Sequence, residues 1–433
     1  MIQKFASRLP SSTGEFLNRH TSAAFEVFDR RLARDSAAPI GVAFSGGGDS
    51  LMALKAAKAW ADRCGRSVIA FHVDHRLQSQ SADWAWAAGQ AAERLGVRFV
   101  DLSWEGEKPA TGLAAAAREA RHRLIAEAAR PAGVRVLVIG HTADDQIEAA
   151  LMRGAGVRMG DLREWSPSPV WPEGRGLFVL RPLLGLRRAA IRQTLTADAE
   201  TWIDDPANQD LRSPRARARL LGALADHPVA PEDDKDLARL AAKAQVGPGG
   251  EIRVDREALR SAPRAAARRL IGAATTCAGG RSGAPRGERL DTLVDRILGS
   301  APVAGVLSGA RVLAGDDLIF VRDAGEAARD GLRPLELKPG QTGVWDGRFE
   351  VKAGPEPTTI GHLAGRAAAL DGAQRTALKS LAASVRPGLP VRVRADGAPV
   401  CPILAGDPQV KVSLLVAERF FAACGVISKE PAT

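Results

Sequence analysis

The chain has 433 residues, enough for two or three domains with their own cores, and a hydrophobic content of 45% that is ordinary for a water-soluble globular protein. Lysine and arginine number 60 against 50 acidic residues, a net charge of +10 that suits a polyanionic partner or a solvated, arginine-rich surface. No run approaches the ~18 apolar residues of a membrane span and "MIQKFASRLPSSTGEF" has no signal-peptide core, so a cytoplasmic protein without a membrane partner is expected.

Residues 1–37 read as an N-terminal helical extension. Ile40, Val42 and Phe44 then alternate as in a short strand, and Leu51, Leu54 and Ala57 recur at helical spacing. Between them lies "SGGGDS", Ser45, Gly46, Gly47, Gly48, Asp49 and Ser50. A glycine turn between strand and helix forms a nest of backbone N–H groups at the positive end of a helix dipole, and both favour phosphate. The glycines let backbone approach closely, and the two serines supply hydroxyl donors. A Walker A loop is excluded, because the G-K-[ST] ending is missing. Asp49 beside a phosphate would be repelled by it, unless a cation bridges the two or the carboxylate caps the helix.

Short β-branched runs follow at 67–73, 97–102 and 134–140, separated by helical stretches near Asp83–Leu95 and Leu113–Arg130. Alternating buried strands and helices predict βαβ units, a parallel sheet covered on both faces. "FHVDHRLQSQS" (71–81) and "GHTADDQIEAALMR" (140–153) stand at strand ends, where ligands of open α/β sheets bind. They bring His72, His75 and His141 there. His72 and His75 either pack at a strand end or act in the site. Asp144 and Asp145 would serve a helix start as caps, which leaves His141 unexplained.

Beyond about residue 220 the texture changes. Glycine- and proline-bearing breaks at 245–251 and 279–288 interrupt a helical, charged region, and "SGARVLAGDDLIFVRD" (308–323) reads as a hairpin. A linker-like "GLRPLELKPGQTG" (331–343) precedes a tail of short strands and one helix. The expected parts are thus an α/β domain over 38–220, a mainly helical middle with a β-hairpin over 221–330, and a small mixed α/β domain over 331–433.

"SGGGDS" resembles the pyrophosphate loop of the N-type ATP pyrophosphatases, the PP-loop family with a Rossmann-like parallel sheet. "GHTADDQIEAALMR", "RPLLGLRRAAI" (181–191), "WIDDPANQDLRSPRARARL" (202–220) and "VWDGRF" (344–349) resemble the tRNA(Ile)-lysidine synthetases among them. The resemblance is strong over 38–220, weak at the hairpin and "VWDGRF", and slight elsewhere. Ala149 replaces the threonine usual in the motif, and the glycine-rich stretch after it is degenerate.

The resemblance implies ATP as co-substrate, with Mg2+ at Asp49, and two further partners: free L-lysine and isoleucine tRNA with a CAU anticodon. The C2 oxygen of the wobble cytidine would attack the α-phosphate of ATP, and the lysine ε-amine would then displace AMP. Deprotonating that amine at pH 7 costs about 4.6 kcal/mol from a pKa of about 10.4. Asp145 and His141 are the candidates to orient and deprotonate it. Arg215, Arg217 and Arg219 are candidates to clamp the phosphate or touch tRNA. The 331–433 domain is expected to contact tRNA.

The nearest rival is a tRNA 2-thiolation enzyme built on the same loop. Such enzymes need catalytic or cluster-binding cysteines, whereas Cys64, Cys277, Cys401 and Cys424 are scattered with no C-x-x-C pair. A small-molecule amide ligase would have less use for the basic balance and the extra domains. A tRNA-binding module without catalysis need not keep Ser45, Asp49 and Asp145 together. Tyrosine is absent, so base stacking would fall to Trp, Phe, His or Arg.

Overall fold

The computed structural model describes residues 19–156, 162–204, 217–218, 235–285, 287–300, 303–315, 317–329, 331–394 and 396–432. The chain divides into two compact units, one of Met1–Trp165, Leu177–Pro231 and Lys429–Thr433, the other of Ser166–Gly176 and Glu232–Ser428.

The first unit is built on a six-stranded sheet of order β3-β2-β1-β4-β6-β5. Its strands are β1 (Ile40–Ala43), β2 (Val68–Asp74), β3 (Arg98–Ser103), β4 (Val136–Ile139) and β6 (Phe178–Leu180), and the short β5 (Trp165–Pro167), of which Trp165 belongs to this unit, stands at the edge. The pairs β1–β2, β2–β3, β1–β4 and β4–β6 are parallel. Parallel strands need crossovers, and helices α2 (Gly48–Cys64), α3 (Ser81–Arg94) and α4 (Leu113–Ala129) supply them. Strand order runs outward from β1 to β3, and the chain then returns to β4 on the other side of β1. With right-handed crossovers, that return puts α4 on the opposite face from α2 and α3. The connections that leave the carboxyl ends of β1 and β4 therefore run to opposite faces of the sheet, a topological switch point, the place where such sheets bind ligands. Ile40, Val42, Val136, Val138 and Ala57 are fully buried beneath it.

Helix α1 (Arg19–Arg31) precedes this sheet, and α5 (Ala143–Gly154) and α6 (Arg188–Ala197) follow β4 and β6. The chain's last residues also belong to this unit. The side chains of Arg66 and Glu430 are each 1% exposed and pair at 2.8 Å.

Among the described residues the second unit carries three sheets. The expected hairpin forms, with β10 (Ala310–Ala314) antiparallel to β11 (Asp317–Arg322). It is the middle of a five-stranded sheet that also holds β7 (Gln245–Val246), β8 (Ile252–Asp255) and β9 (Val303–Leu307), so the middle region contains more strand than its sequence texture predicts. Helices Arg264–Ala278 and Glu288–Leu298 share its core. The tail holds a four-stranded sheet, β12 (Leu335–Leu337), β15 (Thr358–His362), β16 (Pro390–Val393) and β17 (Pro399–Val400). Beside it in the chain is a three-stranded one, β13 (Thr342–Trp345), β14 (Phe349–Ala353) and β18 (Val410–Leu414).

"VWDGRF" is the turn between β13 and β14. Asp346 and Gly347 take left-handed backbone, φ 51° and 64°. The buried Asp346 carboxylate accepts from Arg322 Nε at 2.8 Å and from Arg348 Nε at 2.7 Å. Arg348 then donates to the carbonyls of Gly249 and Gly388. The motif ties four stretches of the second unit together.

Candidate active site

β1 ends at Ala43 and α2 starts at Gly48, so the glycine turn fills the switch point. Gly46 has φ +83°, and a Cβ there would stand 2.4 Å from Ile203 Cδ1. The left-handed backbone calls for glycine, and any side chain would also have to displace the tip of Ile203. Gly140, after β4, lets the two strand ends converge: its Cβ would come 2.5 Å from the Asp49 carbonyl oxygen. Ser50 Oγ donates to the Gly47 carbonyl at 2.8 Å and lies 3.1 Å from Ser45 Oγ. The two serines brace the turn as well as facing its opening. Ser45, Gly47, Gly48, Asp49 and Ser50 line an open cleft of about 430 Å³, whose walls also include His72, His75, Arg121, His122, His141, Asp145, Arg188 and Arg192.

Three carboxylates meet one guanidinium at the cleft. Arg188, in the first turn of α6, donates through Nε to Asp49 Oδ2 at 2.8 Å, lies 3.4 Å from Asp145 and reaches Glu148 at 3.1 Å. Its backbone N–H donates to Asp144 at 2.7 Å. Burial pulls the Arg188 guanidinium down, but Asp145, Asp49 and Glu148 outweigh it and hold the group above its ordinary value. Burial pushes the Asp49 carboxyl up, with Arg188 opposing. Asp145 also accepts from the Thr142 N–H at 2.8 Å and Thr142 Oγ1 at 2.9 Å. Capping thus holds Asp145 in place and leaves it on the cleft wall.

His141 is buried, and Arg181 Nε lies 3.0 Å from its Nδ1. Burial drives the imidazole well below its ordinary range against the pull of Asp145. His72 bonds the Phe44 carbonyl through Nδ1 at 3.0 Å and packs 5.9 Å from the Phe99 ring. His75 sits edge-on to Trp104, and burial, with Arg121 adding to it, pushes it down to about 4.

Arg215 and Arg219 lie outside the described residues. Arg217 is exposed and is absent from the cleft wall. Among the described residues the guanidiniums that line the cleft are Arg76, Arg121, Arg188 and Arg192, none of which local spacing singles out. "RPLLGLRRAAI" was the available signal for Arg181 and Arg188. The four cysteines are free thiols, three of them buried, and burial pushes Cys277 and Cys401 up to about 11. Among the described residues no three His, Cys, Asp or Glu side chains converge to hold a metal.

A braced glycine turn at a switch point, an acidic helix start behind it and basic walls define a nucleotide-binding α/β domain. Residues 20–223 match the family model of the PP-loop domain. Over 413 residues the chain is 47% identical to the tRNA(Ile)-lysidine synthase of Caulobacter vibrioides, covering 94% of this chain and 98% of that protein. It is 35% identical to the tRNA(Ile)-lysidine synthase of Hyphomonas neptunium over 64% of this chain and 79% of that one. Among solved structures, the U34-tRNA thiolase NcsA from Methanococcus maripaludis with its [4Fe-4S] cluster aligns at TM-score 0.38 and 16% identity, covering 46% of this chain and 71% of that one. The chain belongs to the tRNA(Ile)-lysidine synthase family, a family of enzymes.

Proposed function

We propose that the protein ligates free L-lysine to C2 of the wobble cytidine in the CAU anticodon of isoleucine tRNA, with ATP converted to AMP and pyrophosphate. The observation that carries this reading is identity of 47% along 98% of a relative named for that activity. In the first step the cytidine O2 attacks the α-phosphorus and pyrophosphate leaves. In the second the lysine amine attacks C2 and the O2–C2 bond breaks, releasing AMP. Ser45 to Ser50 take the pyrophosphate. Asp145 takes the proton of the amine while His141 helps to orient the reactants, and the carboxylates around Arg188 favour a cationic substrate beside them. Arg215, Arg217 and Arg219 serve the phosphate or the tRNA backbone, and the 331–433 region grips tRNA. The working compartment is the cytoplasm.

Magnesium fits this site through Asp49. Its Oδ2 is bonded to Arg188, whereas Oδ1 carries no hydrogen bond among the described residues. One carboxylate oxygen, completed by phosphate oxygens and water, is how Mg2+ is commonly held. When bound it would neutralise charge on the phosphates.

The test is incubation of the full chain with ATP, labelled lysine and isoleucine tRNA, following pyrophosphate and label. Release and incorporation that both require all three substrates support the reading. Pyrophosphate release without lysine transfer, or transfer of sulfur, sinks it.

A further inference from the structure

A guanidinium has N–H donors and no acceptor. The 3.0 Å contact of Arg181 with His141 therefore has one polarity: Arg181 Nε–H donates and His141 Nδ1 accepts. A neutral imidazole whose Nδ1 presents the lone pair carries its proton on Nε2. Arg181 is held in turn, since its NH1 donates to the Arg163 carbonyl at 2.7 Å. Both side chains are buried, with residue exposures of 8% for His141 and 5% for Arg181. For Nδ1 to take a proton, this bond must break and a second cation must form beside the first.

We propose that Arg181 is a positioning residue: it fixes His141 as an imidazole with its proton on Nε2, so that His141 works in the cleft as a hydrogen-bond donor and not as a base. The surroundings agree. The groups facing His141 are Asp145 on α5, Arg181 after β6, and Arg118, Arg121 and His122 on α4. Burial and the guanidiniums oppose an imidazolium, Asp145 favours one, and the balance falls well on the neutral side. A neutral donor beside the glycine turn suits an oxygen on which negative charge develops, because it gives a hydrogen bond without holding a proton that the reaction must move. Which oxygen it serves rests on the proposed function, where it is a non-bridging oxygen of the transferring α-phosphate. Asp145 is then left as the base for the amine.

Two measurements decide the matter. In the full chain with 15N-labelled histidine, the His141 resonances are assigned by their loss in His141→Gln. The expected spectrum has the proton on Nε2 and a bare Nδ1 from pH 6 to 8, with no titration; Arg181→Met should let Nδ1 titrate or take the proton, and Arg181→Lys should retain most of the native pattern. A proton on Nδ1 in the wild type, or a midpoint in that range, overturns the proposal whatever the enzyme's reaction. The second measurement compares His141→Gln, which keeps an N–H near the place of Nε2, with His141→Ala. A donor predicts kcat at least tenfold higher for Gln than for Ala, with the KM for tRNA within about threefold of wild type. Equal loss in both folded variants overturns the donor role. A wild type that incorporates no lysine counts against the proposed function, while the spectrum still settles the tautomer.

Discussion

Glu430, three residues before the last residue of the chain, should govern the stability of the ATP-binding unit. Its carboxylate accepts from Arg66 NH1 at 2.8 Å and NH2 at 2.9 Å, and from the Ala33 N–H at 3.0 Å. Arg66 spends its remaining donors on the carbonyls of Ala33 and Ala38. Glu430→Ala removes the counter-charge and leaves a guanidinium whose side chain is 1% exposed. Breaking such a buried pair from one side costs about 3–5 kcal/mol. For a unit of this size each kcal/mol lowers the melting midpoint by about 2–4 °C, so the expected fall is roughly 6–20 °C. Replacing both partners, Arg66→Met with Glu430→Leu, should recover much of it, because a packed apolar pair leaves no bare charge. Calorimetry of the full chain, with ATP protection as a second readout, measures both variants. A shift below 2 °C for Glu430→Ala, or a double variant worse than the single, would mean that the buried pair does not hold this unit together. The same contact explains why a fragment ending near residue 220 is a poor test of the ATP-binding domain, since it lacks Glu430.

Asp145→Asn should spare cytidine adenylation and block lysine transfer, so adenylated tRNA accumulates; normal transfer would place the base elsewhere. Gly46→Ala forces a left-handed residue into contact with Ile203, a strain of about 1–2 kcal/mol before the clash, and should cut ATP-dependent turnover at least a hundredfold in initial-rate assays. Asp346→Asn leaves Arg322 and Arg348 buried without their shared carboxylate, and denaturant unfolding of the second unit should show a loss of about 3–5 kcal/mol. His75 is pushed down to about 4 by burial, whereas an unfolded histidine titrates near 6.5. The unfolded state therefore takes up the proton first, and the stability present above pH 6.5 is lost on acidification toward 4. His75→Phe should flatten that part of the stability profile measured by urea unfolding.

The α/β frame was legible because its strands are short β-branched runs and its helices carry 3.6-residue spacing. Val68–Asp74, Arg98–Ser103 and Leu113–Ala129 fall within a residue or so of expectation. β7 and β8 were not legible: two and four residues long amid glycine breaks, they are strands only because β11 pairs with β8. At the site, local order exposed the glycine turn, His141 and Asp145. For Arg188 and Arg181 it offered only the "RPLLGLRRAAI" resemblance and not their partners, which lie 139 and 40 residues away in sequence. Arg66 is still further from Glu430, at 364. Such pairings are made by the fold, and an arginine in an arginine-rich chain looks like any other until its carboxylate is found. "VWDGRF" reads in sequence as a family signature, and in the structure it is a buried ionic knot at a hairpin turn.

Whether the cleft joins lysine to the wobble cytidine is read from the product nucleoside itself. Isoleucine tRNA with a CAU anticodon is incubated with the full chain, ATP and lysine, then digested, and the wobble nucleoside is weighed by mass spectrometry. The expected product is a nucleoside heavier than cytidine by one lysine less one water, absent when ATP or lysine is withheld and absent from the Asp145→Asn reaction. An unmodified cytidine under complete conditions, or a nucleoside carrying sulfur, would contradict it.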